Sequence, residues 1–233
     1  MNIPYEKDNK ERIPFTHYLE EFQALDPETA SLRSGIPYDK DKKVFTLRML
    51  GKEFLISWPE FEVRRADETD TQYAAILEGV PAKIMAIRMI ANGIAAAPTG
   101  KYLTYREVPW GTVYLQQFTG RCISRLAFSY GNRLADFCAV MERMGAKKLT
   151  MGDASYEFEF INGYFVQFIL WAGDDEFPPS AQILFSDNFP LSFSAEDMAV
   201  VGDITIGTMK NCNYSGIIPR DILTRSQKKP DSF

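Results

Sequence analysis

Residues 152–185 read GDASYEFEFINGYFVQFILWAGDDEFPPSAQILF. From Ser155 to Phe160 the residues alternate, with Tyr156, Phe158 and Phe160 on one side and Ser155, Glu157 and Glu159 on the other. Period two with aromatics on one side predicts a half-buried strand. Asn162-Gly163 follows. Both central residues of a type I′ turn need positive φ, which Asn and Gly tolerate, so this pair predicts a tight hairpin. Tyr164 to Trp171 is apolar except for Gln167. A strand apolar on both sides is covered on both faces, which places it in the middle of a sheet. Gln182 to Phe185 reads as the next strand.

A two-residue loop fixes the pairing of its strands. It sets Ile161 opposite Tyr164, Phe160 opposite Phe165 and Ser155 opposite Leu170, and further out Asp153 opposite Ala172 and Gly152 opposite Gly173. Opposed residues lie about 5 Å apart at Cβ, so this register gathers Asp153, Asp174, Asp175 and Glu176 at the open end of the hairpin. Pro178-Pro179 stiffens the exit.

The rest of the chain supports an α+β fold, a mainly antiparallel sheet packed by helices in a single domain. Phe15, Tyr18, Leu19, Phe22 and Leu25 form a helical stripe after a polar start. Asp26-Pro27 predicts the cap and first residue of a second helix ending at Gly35. Lys43–Leu50, Glu53–Trp58 and Phe61–Arg65 read as strands, with Gly51-Lys52 as a turn and Trp58-Pro59 as a stop. Asp70 to Leu77 reads as a helix capped by Asp70, and Pro81 to Asn92 as a buried helix whose methionines serve packing. Tyr102–Arg106 and Thr112–Phe118 read as strands, and Ile123–Phe128 as a short helix. Leu134–Met144 reads as a helix capped by Asn132. Ser194 to Asp197 fits a capping box, with Asp in place of Glu, for a helix running to about Lys210. The expected division is an N-terminal helical attachment over 1–43, the α+β domain over 44–210 and a polar tail over 211–233.

The chain has 233 residues and a net charge of −5. It carries no basic run longer than a pair of residues, which disfavours nucleic acid as a partner. No apolar stretch approaches the length of a membrane span. The opening MNIPYEKDNKER lacks the apolar run of a secretory signal, so the cytoplasm is the expected compartment. One histidine excludes a histidine triad or a multi-histidine metal site. Cys122, Cys138 and Cys212 are far apart, with no C-x-x-C pair, and read as reduced thiols.

FLISWPEFEV, APTGKYLTYREVPWG, MGDASYEFEF and LWAGDDEFPPSAQILF with the following SAEDMAVVG carry a resemblance over roughly Val44 to Met209. They resemble an uncharacterised prokaryotic domain-of-unknown-function family of cytoplasmic proteins, common in anaerobes. The shared motifs are W-P, P-T-G, G-D-A and G-D-[DE]-E-F-P-P. Some members are labelled iron–sulfur or corrinoid-associated because they carry an extra cysteine-rich segment. The resemblance implies an accessory role in anaerobic cofactor metabolism and supplies no reaction. This chain lacks the cysteine-rich segment, so no iron–sulfur cluster is expected in it; any other cofactor is unknown.

The chemistry-bearing candidates are Asp153, Asp174, Asp175 and Glu176, with Arg106 or Lys101 as compensating cations. Crowded carboxylates can bind a hard cation or share a raised pKa as an acid–base pair. They can equally form a solvated acidic turn that caps its own backbone. Thr99, within Pro98-Thr99-Gly100-Lys101, sits in a loop like a phosphate-binding one in composition but without its spacing. Three function classes follow: a ligand-binding or accessory module with a small-molecule or protein partner, a metal-dependent or acid–base enzyme at the acidic cluster, and a structural or interaction subunit.

Overall fold

The structure is a computed structural model that describes residues 9–214, with side chains described from Pro14 to Cys212. The expected tail beyond Tyr214, and the first eight residues, lie outside the described residues. The chain opens with helices α1 (Asn9–Ala24) and α2 (Pro27–Ser34), followed by strands β1 (Tyr38–Asp39), β2 (Val44–Met49), β3 (Lys52–Ser57) and β4 (Val63–Arg65). Helices α3 (Ala75–Glu78) and α4 (Val80–Asn92), strand β5 (Tyr102–Thr104) and helix α5 (Gly111–Phe118) come next. A π-turn over Thr119–Ser124 leads into α6 (Arg125–Tyr130) and then α7 (Leu134–Arg143). Strands β6 (Lys147–Lys148), β7 (Ala154–Ile161), β8 (Tyr164–Trp171) and β9 (Ser180–Ser186) precede the closing helix α8 (Ala195–Tyr214).

The fold is α+β, with one nine-stranded antiparallel sheet in the order β4-β3-β2-β7-β8-β9-β5. β1 lies beside β2, and β6 beside β7. The apolar β8 is central, between β7 and β9, as its composition predicts. Helices pack on one face, where Phe137 meets Tyr156 edge-on and Cys122 seats on α8. α1 is tied to the sheet by Phe22, edge-on to Phe61, and by Trp58, whose indole N–H donates to the Phe22 carbonyl at 3.1 Å. α2 has the expected ends. Asp26 accepts from the Thr29 N–H at 2.8 Å, and Gly35 closes the helix at φ 70. The capping box at α8 also forms, with the Ser194 N–H and hydroxyl both donating to Asp197 Oδ2.

The hairpin turn is Asn162-Gly163, but its register differs from the expected one. A bulge between Glu159 and Ile161 puts Glu159 opposite Phe165, Ser155 opposite Ile169 and Ala154 opposite Leu170. The cause is that this end of β7 is shared with β2. The Phe160 carbonyl accepts from the Leu50 N–H, and Asn162 exchanges hydrogen bonds with the Arg48 backbone. Glu159 binds the Arg48 guanidinium at 2.9 and 3.0 Å and accepts from the Gly163 N–H. Phe160 is thereby drawn out of the β8 ladder, and every later pair moves by one residue.

Other expectations are corrected. Thr112–Phe118 is helical, being α5. Leu115, Phe118, Cys122 and Leu126 recur at spacings of three and four, a helical stripe that continues through the π-turn into α6. Asp70 does not start a helix. Its carboxylate pairs with Lys52 at 2.7 Å and Arg65 at 3.3 Å and accepts from the Gln72 N–H, so helix begins only at Ala75. The turn between β2 and β3 is Leu50-Gly51, both at positive φ, and not Gly51-Lys52. α7 is preceded by Arg133 without a side-chain cap, in place of Asn132. β5 stops at Thr104, and α8 continues past Lys210. α1 begins at Asn9, within the polar start that precedes the stripe.

Candidate functional site

The two ends of β9 and its neighbours carry the side chains of interest. At one end, the loop from Ala172 to Pro179 joins β8 to β9. Asp174 Oδ1 accepts from the Glu176 and Phe177 N–H groups at 2.9 and 2.7 Å, and the Asp174 N–H donates to the Phe177 carbonyl. Asp153 sits where its Oδ2 accepts from the Ala172 N–H at 2.7 Å. Asp153 and Asp174 thus both brace backbone, while Asp175 and Glu176 point into solvent. No three of these carboxylates, nor any other His, Cys, Asp or Glu trio among the described residues, come together to hold a metal ion. Arg106 is exposed in the segment after β5, and among the described residues it makes no ion pair with these carboxylates.

Thr99 and Lys101 are brought together with a different acid, Asp187. The Thr99 N–H donates to Asp187 at 3.0 Å, its hydroxyl bonds the same carboxylate, and the Asp187 N–H donates to the Lys101 carbonyl. These bonds to Thr99, together with the nearby Lys101 charge, hold the Asp187 carboxyl below its usual range. The loop fastens β5 to the end of β9.

The open face of the sheet carries a polar row that the sequence reading did not single out. Glu157 Oε2 accepts from the Tyr102 hydroxyl at 2.6 Å and from Gln167 Nε2 at 3.0 Å. Tyr102 belongs to the edge strand β5, so this bond reaches over β9 and β8, and the sheet must curl toward that face. Burial would raise the Glu157 pKa, yet the hydrogen bonds from Tyr102 and Gln167, with Lys147 nearby, hold it below the usual range. Burial and the same Glu157 contact push the Tyr102 phenol up.

The cysteines are free thiols. Burial pushes Cys122 up to about 12, and its Sγ donates to the Ala199 carbonyl at 3.3 Å. A Cβ at Gly202 would lie 2.6 Å from that sulfur, so the bare backbone of α8 makes room for the thiol. A thiol held protonated this way is not a nucleophile at neutral pH.

A cleft of about 570 Å³, with a mostly apolar lining, lies between the start of α5 and the start of α8. Trp110, Val113 and Tyr114 line one side, and Leu191, Phe193 and Glu196 the other. The segment entering α5 is built to close tolerances. Glu107 accepts from the Thr104 N–H and hydroxyl, at 2.8 and 2.9 Å. Tyr105 stacks on Phe118 at 3.8 Å and donates to the Ala195 carbonyl at 2.6 Å, linking α5 to the first residue of α8. A Cβ on Gly111 would stand 1.8 Å from the Tyr105 carbonyl oxygen, so only glycine fits. Trp110 is held at φ 65 with its side chain 77% exposed. A bulky residue in the left-handed region is a backbone outlier. The serines of the cleft are engaged elsewhere, Ser192 with Ile94 and Tyr164, and Ser194 with Asp197. Glu196 is the one charged residue of the lining, and it makes no ion pair among the described residues. Thr112–Phe118 read as a strand hides this cleft, because its wall needs the start of a helix there. Gly111 after an aromatic, followed by helical spacing, is the signal that was available.

Among the described residues no helix is long and apolar enough to cross a membrane. No curated protein and no solved structure matches the chain. A family model described as a domain of unknown function, DUF3786, matches residues 26–208, starting before Val44 and taking in α2 and β1. The match covers most of the chain, which therefore belongs to the DUF3786 family.

Proposed function

We propose that this chain is a binding module whose ligand lies in the Trp110 cleft and carries an organic cation. The observation that supports this most is Trp110 itself, an indole displayed to solvent from a left-handed backbone. That conformation costs about 1–2 kcal/mol for a residue with a side chain. Such strain persists where the surrounding structure over-determines it, and it clusters at ligand sites. Trp and Tyr rings attract cations through their π faces, by about 0.5–2 kcal/mol depending on desolvation. Glu196, the charged group of the lining, has the complementary sign. An accessory role in anaerobic cofactor metabolism, in the cytoplasm of a prokaryote and away from nucleic acid, fits such a module. Its support is the family resemblance and the acidic charge, not the cleft.

The experiment is a titration with benzyltrimethylammonium and with its neutral isostere neopentylbenzene, followed by the Trp110 indole resonance. The cation is expected to bind saturably and at least about threefold more tightly than the isostere, a difference set by the cation–π energy. Glu196→Gln should reduce that preference without removing it, and Trp110→Ala should abolish the site. Equal binding of the two probes would overturn the cation, and loss of saturable binding by both would overturn the cleft.

A further inference from the structure

The acidic end of the β7–β8 hairpin offers a second surface, independent of the Trp110 cleft. We propose that the loops 149–153 and 172–179 form a docking surface for a protein partner that presents a basic rim around an apolar centre. Three large apolar side chains are exposed there: Phe177 at 67%, Trp171 at 38% and Met151 at 38%. Exposed aromatic and Met side chains are the composition of an interface centre. The register brings the loops that carry them to one end of the sheet. Trp171 pairs with Ser180, closing the loop that carries Phe177. The 149–153 loop abuts the same strand end, because a Cβ on Gly152 would meet the Leu170 carbonyl at 2.6 Å.

The surface is preformed. Asp174 and Asp153 fix the two loops through their backbone N–H groups, as described above. Pro179 interlocks with the turn after α6, where a Cβ on Gly131 would stand 2.2 Å from the Pro179 Cβ. A surface already held in shape loses little entropy on binding.

Charge selects the partner. Asp153, Asp174, Asp175 and Glu176 lie in the same two loops as the apolar residues, and none makes an ion pair among the described residues. The nearby Arg133 is engaged with Asp136 at 3.7 Å and with the Ser129 carbonyl. In a two-fold dimer the same patch meets itself, so these carboxylates would face one another, which disfavours a second copy of this chain. An anionic lipid surface is disfavoured by the same sign. A basic, apolar-centred protein surface satisfies both the rings and the charges.

The test uses the full chain and a synthetic amphipathic helix peptide of Lys, Leu and Trp, with a Glu-for-Lys peptide as control. The expected result is saturable binding of the basic peptide, with amide shifts confined to 149–153 and 171–179. Phe177→Ser should weaken it about tenfold, the scale of an interface anchor. Asp175→Asn with Glu176→Gln should flatten its salt dependence. Trp110→Ala should leave it unchanged. Equal affinity of Phe177→Ser and the parent chain, or shifts spread over the whole acidic surface, would overturn the proposal. So would a dimer in sedimentation that Phe177→Ser abolishes, which assigns the surface to a second copy. Binding to anionic vesicles that the basic peptide does not compete away would overturn it as well.

Discussion

The turn entering α5 and the loop joining β8 to β9 both display aromatic rings from the same sheet, and both are rigid. They are stiffened by different balances of side-chain and backbone contact. The β8–β9 loop is held by side chains, with Asp174 gathering its own backbone and two prolines limiting its shapes. The α5 turn also uses side chains, Glu107 on Thr104 and Tyr105 on Phe118, but its tightest point is a contact between backbones, where Gly111 lies against the Tyr105 carbonyl and Trp110 takes the left-handed region. Side-chain devices are written in residue types. Backbone contacts depend on what the fold brings near.

The contrast is sharpest in glycine replacements. Gly111→Ala drives a methyl group into a backbone carbonyl that cannot move without unpicking the Tyr105–Phe118 stack and the Tyr105–Ala195 bond. We expect a loss of about 3 kcal/mol or more, at the upper end of overpacking costs. Gly173→Ala meets the Pro179 Cδ at 2.7 Å and its backbone nitrogen at 2.8 Å, a looser approach than the 1.8 Å at Gly111, and about 1–2 kcal/mol is expected there. Urea denaturation of both variants checks the ranking. If Gly173→Ala is the more damaging, the contact-held and side-chain-held turns are not distinct.

The same distinction explains what could be read from the sequence. Asn162-Gly163, Asp26-Pro27 and Ser194 to Asp197 each state a local solution in residue types, and each forms as read. The bulge at Phe160 depends on Arg48 and Leu50, more than a hundred residues away in the chain, competing for the same strand end. Asp70 has the form of a helix cap, but Lys52 and Arg65 claim its carboxylate. Thr112 to Phe118 is rich in strand-forming types, and only its continuation to Cys122 and Leu126 reveals a helical stripe. At the candidate sites, the acidic loop was legible as a collection of residues. The Trp110 cleft was not, because half its wall comes from residues 190–196.

Asp174→Ala removes the acceptor for two exposed N–H groups, which water can then serve. The expected loss is about 1 kcal/mol. Hydrogen exchange should quicken over 174–177 and stay unchanged at Trp110 and Gly111. Faster exchange at both places would mean that the two turns are coupled.

Acidification should act on the α5 side, through β5. Glu157 is held below its unfolded value of 4.5 by Tyr102 and Gln167 despite burial. A depressed carboxyl contributes stability that is fully present above the unfolded pKa and is lost as pH falls through the folded one. The brace therefore weakens below pH 4.5, which loosens the hold on β5, the strand that leads into the Trp110 turn. Tyr102→Phe should cost about 1 kcal/mol at neutral pH and make the acid loss shallower. Parallel pH–stability curves for the variant and the parent chain would break the link between Glu157 and that turn.

The smallest expected change bears most directly on function. Trp110→Gly relieves the left-handed strain of about 1–2 kcal/mol and adds the chain entropy of glycine, about 0.5–1 kcal/mol. The indole is largely exposed, so little packing is lost. The net expectation is a stabilisation of roughly 0.5 kcal/mol, together with loss of benzyltrimethylammonium binding. A protein made slightly more stable and unable to bind would identify the strain at Trp110 as retained for the ligand. A destabilised Trp110→Gly would instead make the ring a packing element of the turn. The cleft would then lose the observation that most favours it, and the acidic end would remain the better candidate surface.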